Sequence, residues 1–202
     1  MRRILVLSPH IDDGILGAGG ALHHFMLQGD EVHYVALSLS STSIPTPVAL
    51  NEVDASIRSL GISALKTYRF PTRDFPRNRQ SLLDSLIQLR DRIKPDLVLT
   101  PSTFDIHQDH KVTTEEAIRA FKYYMLLGYE LPWNNMQFRI GGQIALEKDS
   151  VDAKVTALEC FTSQKDRPYI DPEFIRGWAR MRGVQRGVDY AEVFEVIRWN
   201  VK

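Results

Sequence analysis

The sequence predicts an α/β fold: a Rossmann-like, three-layer αβα sandwich around a mostly parallel sheet. Three observations predict it. Short, wholly apolar runs such as Ile4–Leu7 and Leu97–Leu99 read as strands buried on both faces, as in a parallel sheet. Segments of helical periodicity alternate with these runs, which implies βαβ units. Gly, Pro and Asn stand at most of the junctions.

Each element follows in order. Ile4–Leu7 is the first strand; two arginines precede it as in a leader peptide, but the apolar run stops at Ser8-Pro9-His10, too early for one. Ile15–Leu27 has helical spacing and ends at Gly29-Asp30. Val32–Leu39 is the second strand. Asn51–Leu60 is a helix stopped by Gly61, and Leu65–Phe70 a third, weaker strand. Leu82–Ile93 is a strongly periodic helix closed by Lys94-Pro95, before the fourth strand at Leu97–Leu99. Thr113–Leu127 reads as a helix, Gln137–Leu146 as a strand interrupted by Gly141-Gly142, Val151–Phe161 as a helix and Ala191–Trp199 as a last strand. With the first four strands in the order 3-2-1-4, the crevice of such a sheet lies beyond strands 1 and 4. Chemistry is therefore expected just after Leu7 and just after Thr100.

At 202 residues the chain is expected to form one domain, 1–202, with a core that needs no disulfide. Lys+Arg and Asp+Glu are 25 each, so the net charge is zero, which argues against a general nucleic-acid binder. The single cysteine, Cys160, excludes an internal disulfide and a Cys-rich zinc module, and fits a reducing, cytoplasmic setting. No apolar run approaches the roughly 20 residues of a membrane span. A homo-oligomer is permitted but not demanded.

Two histidine–aspartate clusters fall where the crevice is expected. Pro9-His10-Ile11-Asp12-Asp13 follows strand 1, and Asp105-Ile106-His107-Gln108-Asp109-His110 follows strand 4. His and Asp are zinc ligands, and three protein ligands with an open position mark a catalytic site. The donors suit Zn, Fe or Mn better than Ca. Taken singly, either cluster could be ordinary: Asp12, Asp13 or Asp109 could simply cap a helix. Both clusters at one crevice favour the metal. His23, His24 and His33 lie within regular elements and read as structural or solvated.

At these residues the chain resembles the PIG-L/LmbE-like zinc-dependent N-acetylglucosaminyl deacetylases. Their Pro/Ala-His-Pro-Asp-Asp-Glu motif appears as Pro9-His10-Ile11-Asp12-Asp13-Gly14, followed by Leu16-Gly17-Ala18-Gly19-Gly20. Their His-x-Asp-His motif appears as His107-Gln108-Asp109-His110. Lys154, Ala157-Leu158, Ser163-Gln164, Arg182-Gly183 and Tyr190-Ala191-Glu192-Val193-Phe194 extend the likeness over nearly the whole chain. Gly14 and Ile11 depart from the motif, where Glu and Pro are usual. Asp105-Ile106 stand where some members carry a tyrosine that assists the oxyanion.

The resemblance implies a metal-dependent hydrolase that removes the N-acetyl group from a GlcNAc-type amino sugar or its conjugate, a small-molecule substrate. His10, Asp13 and His110 would bind Zn2+, with Fe2+ or Mn2+ also compatible. Asp12 would be the general base toward a metal-acidified water, and would return the proton to the leaving amine. His107 would assist the oxyanion if protonated, with Asp109 orienting an imidazole. Arg73 would hold an anionic group and Asp74 a sugar hydroxyl, unless both are solvated loop residues. Trp133 and Trp178 are candidates to stack on sugar faces, whereas Trp199 reads as core or interface. Arg180, Arg182 and Arg186 read as solvated surface.

Two other readings compete. A Mn/Mg phosphoesterase would also use His and Asp, but at a two-metal site. A non-catalytic Rossmann-like binding module would use Gly17-Ala18-Gly19-Gly20 as a phosphate loop. Those glycines miss the G-x-G-x-x-G spacing and no acidic residue closes strand 2, so they read as close helix–sheet packing.

Overall fold

The computed structural model describes residues 1–39 and 44–200. Seven strands form one sheet in the order β3-β2-β1-β4-β5-β7-β6. β1 (Arg3–Ser8), β2 (Glu31–Ala36), β3 (Ala64–Thr67), β4 (Leu97–Pro101) and β5 (Met125–Tyr129) run parallel. β7 (Tyr190–Arg198) is antiparallel to β5, and β6 (Gly142–Leu146) antiparallel to β7. Six helices cover the sheet among the described residues: α1 (Asp13–Leu27), α2 (Thr46–Ser59), α3 (Arg79–Ile93), α4 (Gln108–Ala120), α5 (Lys148–Glu159) and α6 (Pro172–Arg186).

Alternation along β1 explains the three layers. Ile4 and Val6 face a core shared with α1, α2 and α5, while Leu5 and Leu7 face a second core shared with α3 and α4. The expected order 3-2-1-4 and the expected mostly parallel αβα architecture are therefore both present.

Close approach of α1 to the sheet accounts for its glycines. A Cβ at Gly17 would overlap the Tyr129 ring, and one at Gly20 would lie 2.5 Å from Leu146 Cδ1. The backbone N–H groups of Gly20 and Ala21 donate to the buried Glu192 carboxylate at 3.1 and 2.7 Å. Lys154 Nζ meets the same carboxylate at 2.7 Å, so this buried charge is paired and hydrogen-bonded.

The C-terminal part departs most from expectation. The helix expected at Thr113–Leu127 stops at Ala120, and Met125–Tyr129 forms β5 beside β4. A short apolar run such as Met125-Leu126-Leu127 fits a helix or a strand equally until its sheet partner is known. α6 was not expected, although Asp171-Pro172 is a helix start: the Asp171 carboxylate accepts from the N–H groups of Glu173 and Phe174. The strand expected from Gln137 begins only at Gly142, where Gly141 lies tight against Val196. Trp199 is exposed rather than in the core. No helix among the described residues is long and apolar enough to cross a membrane.

Candidate metal centre and active site

Both histidine–aspartate clusters lie at the carboxyl ends of adjacent strands, β1 and β4, where a loop passes into the first turn of α1 and of α4. Each loop is locked from behind. Ser8 Oγ donates to the carbonyl of His10 and accepts from the N–H of Gly14 at 2.9 Å. The Tyr34 hydroxyl reaches Ser8 Oγ at 2.9 Å and the carbonyl of Ile11 at 3.0 Å. On the second loop, the buried Glu195 carboxylate accepts from Ser102 Oγ (2.8 Å), Thr103 N–H (2.8 Å) and Thr103 Oγ1 (2.6 Å).

The locking also explains Gly14. A Cβ there would lie 2.9 Å from the Tyr34 hydroxyl and from Val6 Cγ1. The tyrosine occupies the space into which a glutamate side chain would have to grow.

Between the loops, three atoms form a nearly equilateral triangle. His10 Nδ1 is 3.0 Å from Asp13 Oδ2, His110 Nε2 is 3.1 Å from the same oxygen, and the two nitrogens are 3.2 Å apart. Ligands of one tetrahedral zinc, bound at about 2.0–2.1 Å, stand about 3.3 Å from each other. The far nitrogen of each imidazole faces a carboxylate: His10 Nε2 lies 3.1 Å from Asp109 Oδ2, and His110 Nδ1 lies 2.8 Å from Asp105 Oδ2. With a metal in place each ring would turn its lone pair to the triangle and keep its N–H on the outer carboxylate, as metal-ligating histidines do. The donor set fits a divalent metal.

His107 lies close enough to be considered: ring nitrogens of His10, His107 and His110 all fall within 4.8 Å of one another. Its hydrogen bonding points elsewhere. The backbone N–H of Asp109 donates to His107 Nδ1 at 3.2 Å, which occupies that lone pair and leaves the proton on Nε2. With that bond kept, His107 would be suited to donate rather than to ligate, and Asp13 would be the third donor of the triangle. The same bond makes His107 the cap of α4, a role the sequence had left open to Asp109.

Electrostatics follows from this packing. Burial opposes charge on His10 and His110, but Asp13, with Asp109 beside His10 and Asp105 beside His110, outweighs it and lifts the two to about 9 and about 10. Burial also opposes charge on Asp13, yet the imidazoles hold it well below the usual carboxylate range. Asp12 goes the other way: burial first, then the Asp13 charge, raises it to about 6, against smaller opposing effects of His10 and Arg167. Burial and the neighbouring imidazoles lower His107, which keeps it neutral near pH 7. Asp12 stands at the N-cap position of α1 with no side-chain cap bond, so helix capping does not explain it.

His10, Asp12, Asp13, His107 and His110 line a cavity of about 360 Å³, together with Arg73, Trp133, Asn134, Gln164, Arg167 and Tyr169. Arg73 adopts a left-handed backbone (φ 69°), pinned by its N–H donating to Asp109 Oδ2 at 2.6 Å. Asp74 is not on the wall: its carboxylate accepts from Asn78 Nδ2 at 3.2 Å and lies 3.5 Å from Arg77 Nε. Trp133 stacks on Tyr169 (centroids 4.3 Å apart, planes 13° apart), while Trp178 is buried and donates to Glu130 at 2.8 Å. Arg182 also pairs with Glu130, so it is not free surface. Asn134, Arg167 and Tyr169 were not singled out from sequence, and Asp105 and Gln164 were quoted only within the cluster and the family likeness, with no role in the site. For Asp105 a signal existed, its place five residues before His110.

Comparison with known proteins gives the family and the fold. The PIG-L family model, described as GlcNAc-PI de-N-acetylase, matches residues 5–121. The fold is that of the conserved protein TT1542 from Thermus thermophilus (26% identity, 100% of this chain and 97% of that one, TM-score 0.82). It is also that of N,N'-diacetylchitobiose deacetylase from Pyrococcus horikoshii (22%, 97% and 84%, TM-score 0.80). A third similar structure is GalB, the 4-carboxy-2-hydroxymuconate hydratase from Pseudomonas putida (21%, 100% and 98%, TM-score 0.79). No curated protein sequence matches the chain. With more than half of its length matched, and both histidine–aspartate loops inside the matched stretch, the chain belongs to the PIG-L family.

Proposed function

We propose that the chain is a metal-dependent N-deacetylase, a single domain over 1–202, that hydrolyses the acetamide of a GlcNAc-type amino sugar or its conjugate in the cytoplasm. The observation that carries the reading is the triangle of His10 Nδ1, Asp13 Oδ2 and His110 Nε2 on a cavity floor that also holds Asp12 and His107. Deacetylase relatives of the same fold support the substrate class. A hydratase shares that fold, so acetate release is the deciding readout.

His10, Asp13 and His110 would hold the ion, zinc by preference, with Fe2+ and Mn2+ compatible. A divalent ion there supplies Lewis acidity toward a water and the acetamide carbonyl. Asp12 takes the proton of the attacking water. Raised to about 6, it is ionised at neutral pH yet basic enough to carry the proton to the leaving amine. The Nε2–H of His107 donates to the carbonyl oxygen as negative charge develops there, and needs no extra proton to do so. Asp109 and Asp105 hold His10 and His110 in the ligating tautomers. Water and the acetamide become acetate and a free amine.

The test is metal content with a matched activity screen. The chain is purified without added metal, its metal counted, and acetate release measured from a panel of N-acetylhexosamine compounds with and without chelator. One ion per chain and chelator-sensitive release, lost in Asp12→Ala, is the expected result. Two ions without acetate release would favour the phosphoesterase, and no metal the binding module.

A further inference from the structure

We propose that Glu52 is a positioning residue of the site: its carboxylate fastens residues 162–170, so that Gln164, Arg167 and Tyr169 stand as a fixed part of the cavity wall. This rests on the deacetylase reading above and adds to it the group that keeps the substrate wall in place.

Glu52 sits on the buried face of α2 with Ala49, Val53, Ser56 and Ile57. A carboxylate buried there needs partners. One short stretch of chain supplies three. Thr162 Oγ1 (2.9 Å) and the Ser163 N–H (2.7 Å) donate to Oε1, and Ser163 Oγ (2.7 Å) donates to Oε2. Glu52 is not itself on the cavity wall, although Ala49, about one turn before it, is. Any effect of Glu52 on substrate therefore passes through the residues that it holds.

The stretch has little else to hold it. It runs through two single 3-10 turns, Thr162–Gln164 and Pro168–Ile170, a geometry with poorer hydrogen bonds than an α-helix. Phe161 before it and Ile170 at its end are buried in the core shared with α1, α2 and α5. Between these anchors the chain is hollow on both sides. Gln164, Arg167 and Tyr169 face the catalytic cavity, and Lys165, Arg167 and Pro168 line a second cavity of about 360 Å³ behind it. Gln164 follows Ser163 directly and is 7% exposed, so its direction is set where Glu52 grips. Apolar side chains could join α2 to this stretch at little cost. A carboxylate adds direction, because it fixes a backbone N–H together with two hydroxyls.

The test uses the zinc-loaded protein, Glu52→Ala, Glu52→Gln, and the double variant Thr162→Val with Ser163→Ala, which removes two donors and leaves the core untouched. Three quantities are read: kcat and KM for N-acetylglucosamine, zinc per chain, and the rate of tryptic cleavage after the exposed Lys165 under native conditions. Glu52→Ala should raise KM about tenfold with kcat within about twofold and zinc retained, since a loosened wall must be ordered again by substrate. Cleavage after Lys165 should quicken about tenfold or more, because it follows the open population of the stretch. The double variant should shift both in the same direction. Glu52→Gln should restore most of both. Its carbonyl can take the place of Oε1, and its NH2 can donate to Ser163 Oγ. A merely structural role would instead lower kcat, zinc content and the urea midpoint together. That pattern, or KM and cleavage unaltered in Glu52→Ala and in the double variant, would overturn the proposal. Quickened cleavage restored by Glu52→Gln, with no acetate released by the wild type, would support the fastening and overturn the deacetylase reading.

Discussion

Residues 5–121 contribute every donor of the candidate metal centre: His10, Asp13 and His110, with Asp12, His107, Asp109 and Asp105 around them. Residues 122–200 contribute none of these, yet the centre leans on them. Glu195 of β7 holds the second loop, Tyr129 donates to the carbonyl of Leu7 at 3.0 Å, and Trp133, Arg167 and Tyr169 build the far wall of the cavity. On the proposed reading the first stretch carries the chemistry together with its own lock at Ser8 and Tyr34, and the second adds support from behind and part of the cavity wall. Substitutions in the two should therefore fail differently.

The largest effect is expected at Asp12. Asp12→Ala should lower kcat by about 10²–10⁴, the usual worth of a general base, with metal content and unfolding midpoint close to wild type. An equal loss of metal would make Asp12 a ligand and not a base. Lys154, in the second stretch, should behave in the opposite way. Lys154→Ala leaves the Glu192 carboxylate buried without its counter-charge, and should cost about 3–5 kcal/mol in urea unfolding. Little change there would mean that the backbone N–H groups of Gly20 and Ala21 satisfy Glu192 unaided.

Where the two stretches touch, Gly17→Ala forces a methyl into the Tyr129 ring and should cost about 1–3 kcal/mol. Because Tyr129 also braces β1, some loss of metal affinity is expected alongside. A neutral Gly17→Ala would show that the seam can relax. The finest effect is the proton balance of metal uptake. His10 and His110, lifted to about 9 and about 10, are charged near pH 7 in the metal-free chain, and a metal needs them neutral. Uptake should therefore release about one to two protons per ion, and affinity should climb as pH rises toward those values. Calorimetry in buffers of different ionisation enthalpy checks this, and uptake without proton release would contradict it.

The same division describes what could be read from the sequence. The first four strands announce themselves as short apolar runs, and their order put the two clusters at one crevice; β1 and β4 do pair side by side. The glycines of α1 were legible as close packing because no phosphate-loop spacing was present. β5 was lost in a helix because Met125-Leu126-Leu127 carries no period, and only β4 decides its state. α6 was missed although Asp171-Pro172 marks its start. In the site, motif positions were legible, whereas wall residues such as Arg167 and Tyr169 are joined to them only by folding. Asp74 shows the limit from the other side: a plausible neighbour of Arg73 in sequence, it turns to Asn78 instead. The tautomer of His107 was also out of reach, since it depends on one backbone N–H.

The central claim is the ligand set, and metal stoichiometry across single variants tests it most directly. Asp13→Ala, His110→Ala, His107→Gln and Asp12→Asn are loaded with zinc, desalted and analysed by elemental mass spectrometry, with circular dichroism confirming that each is folded. The account expects Asp13→Ala and His110→Ala to lose the ion, and His107→Gln and Asp12→Asn to retain about one per chain. A folded Asp13→Ala that keeps its zinc, beside a His107→Gln that loses it, would replace the triangle with the three-imidazole set and contradict the account.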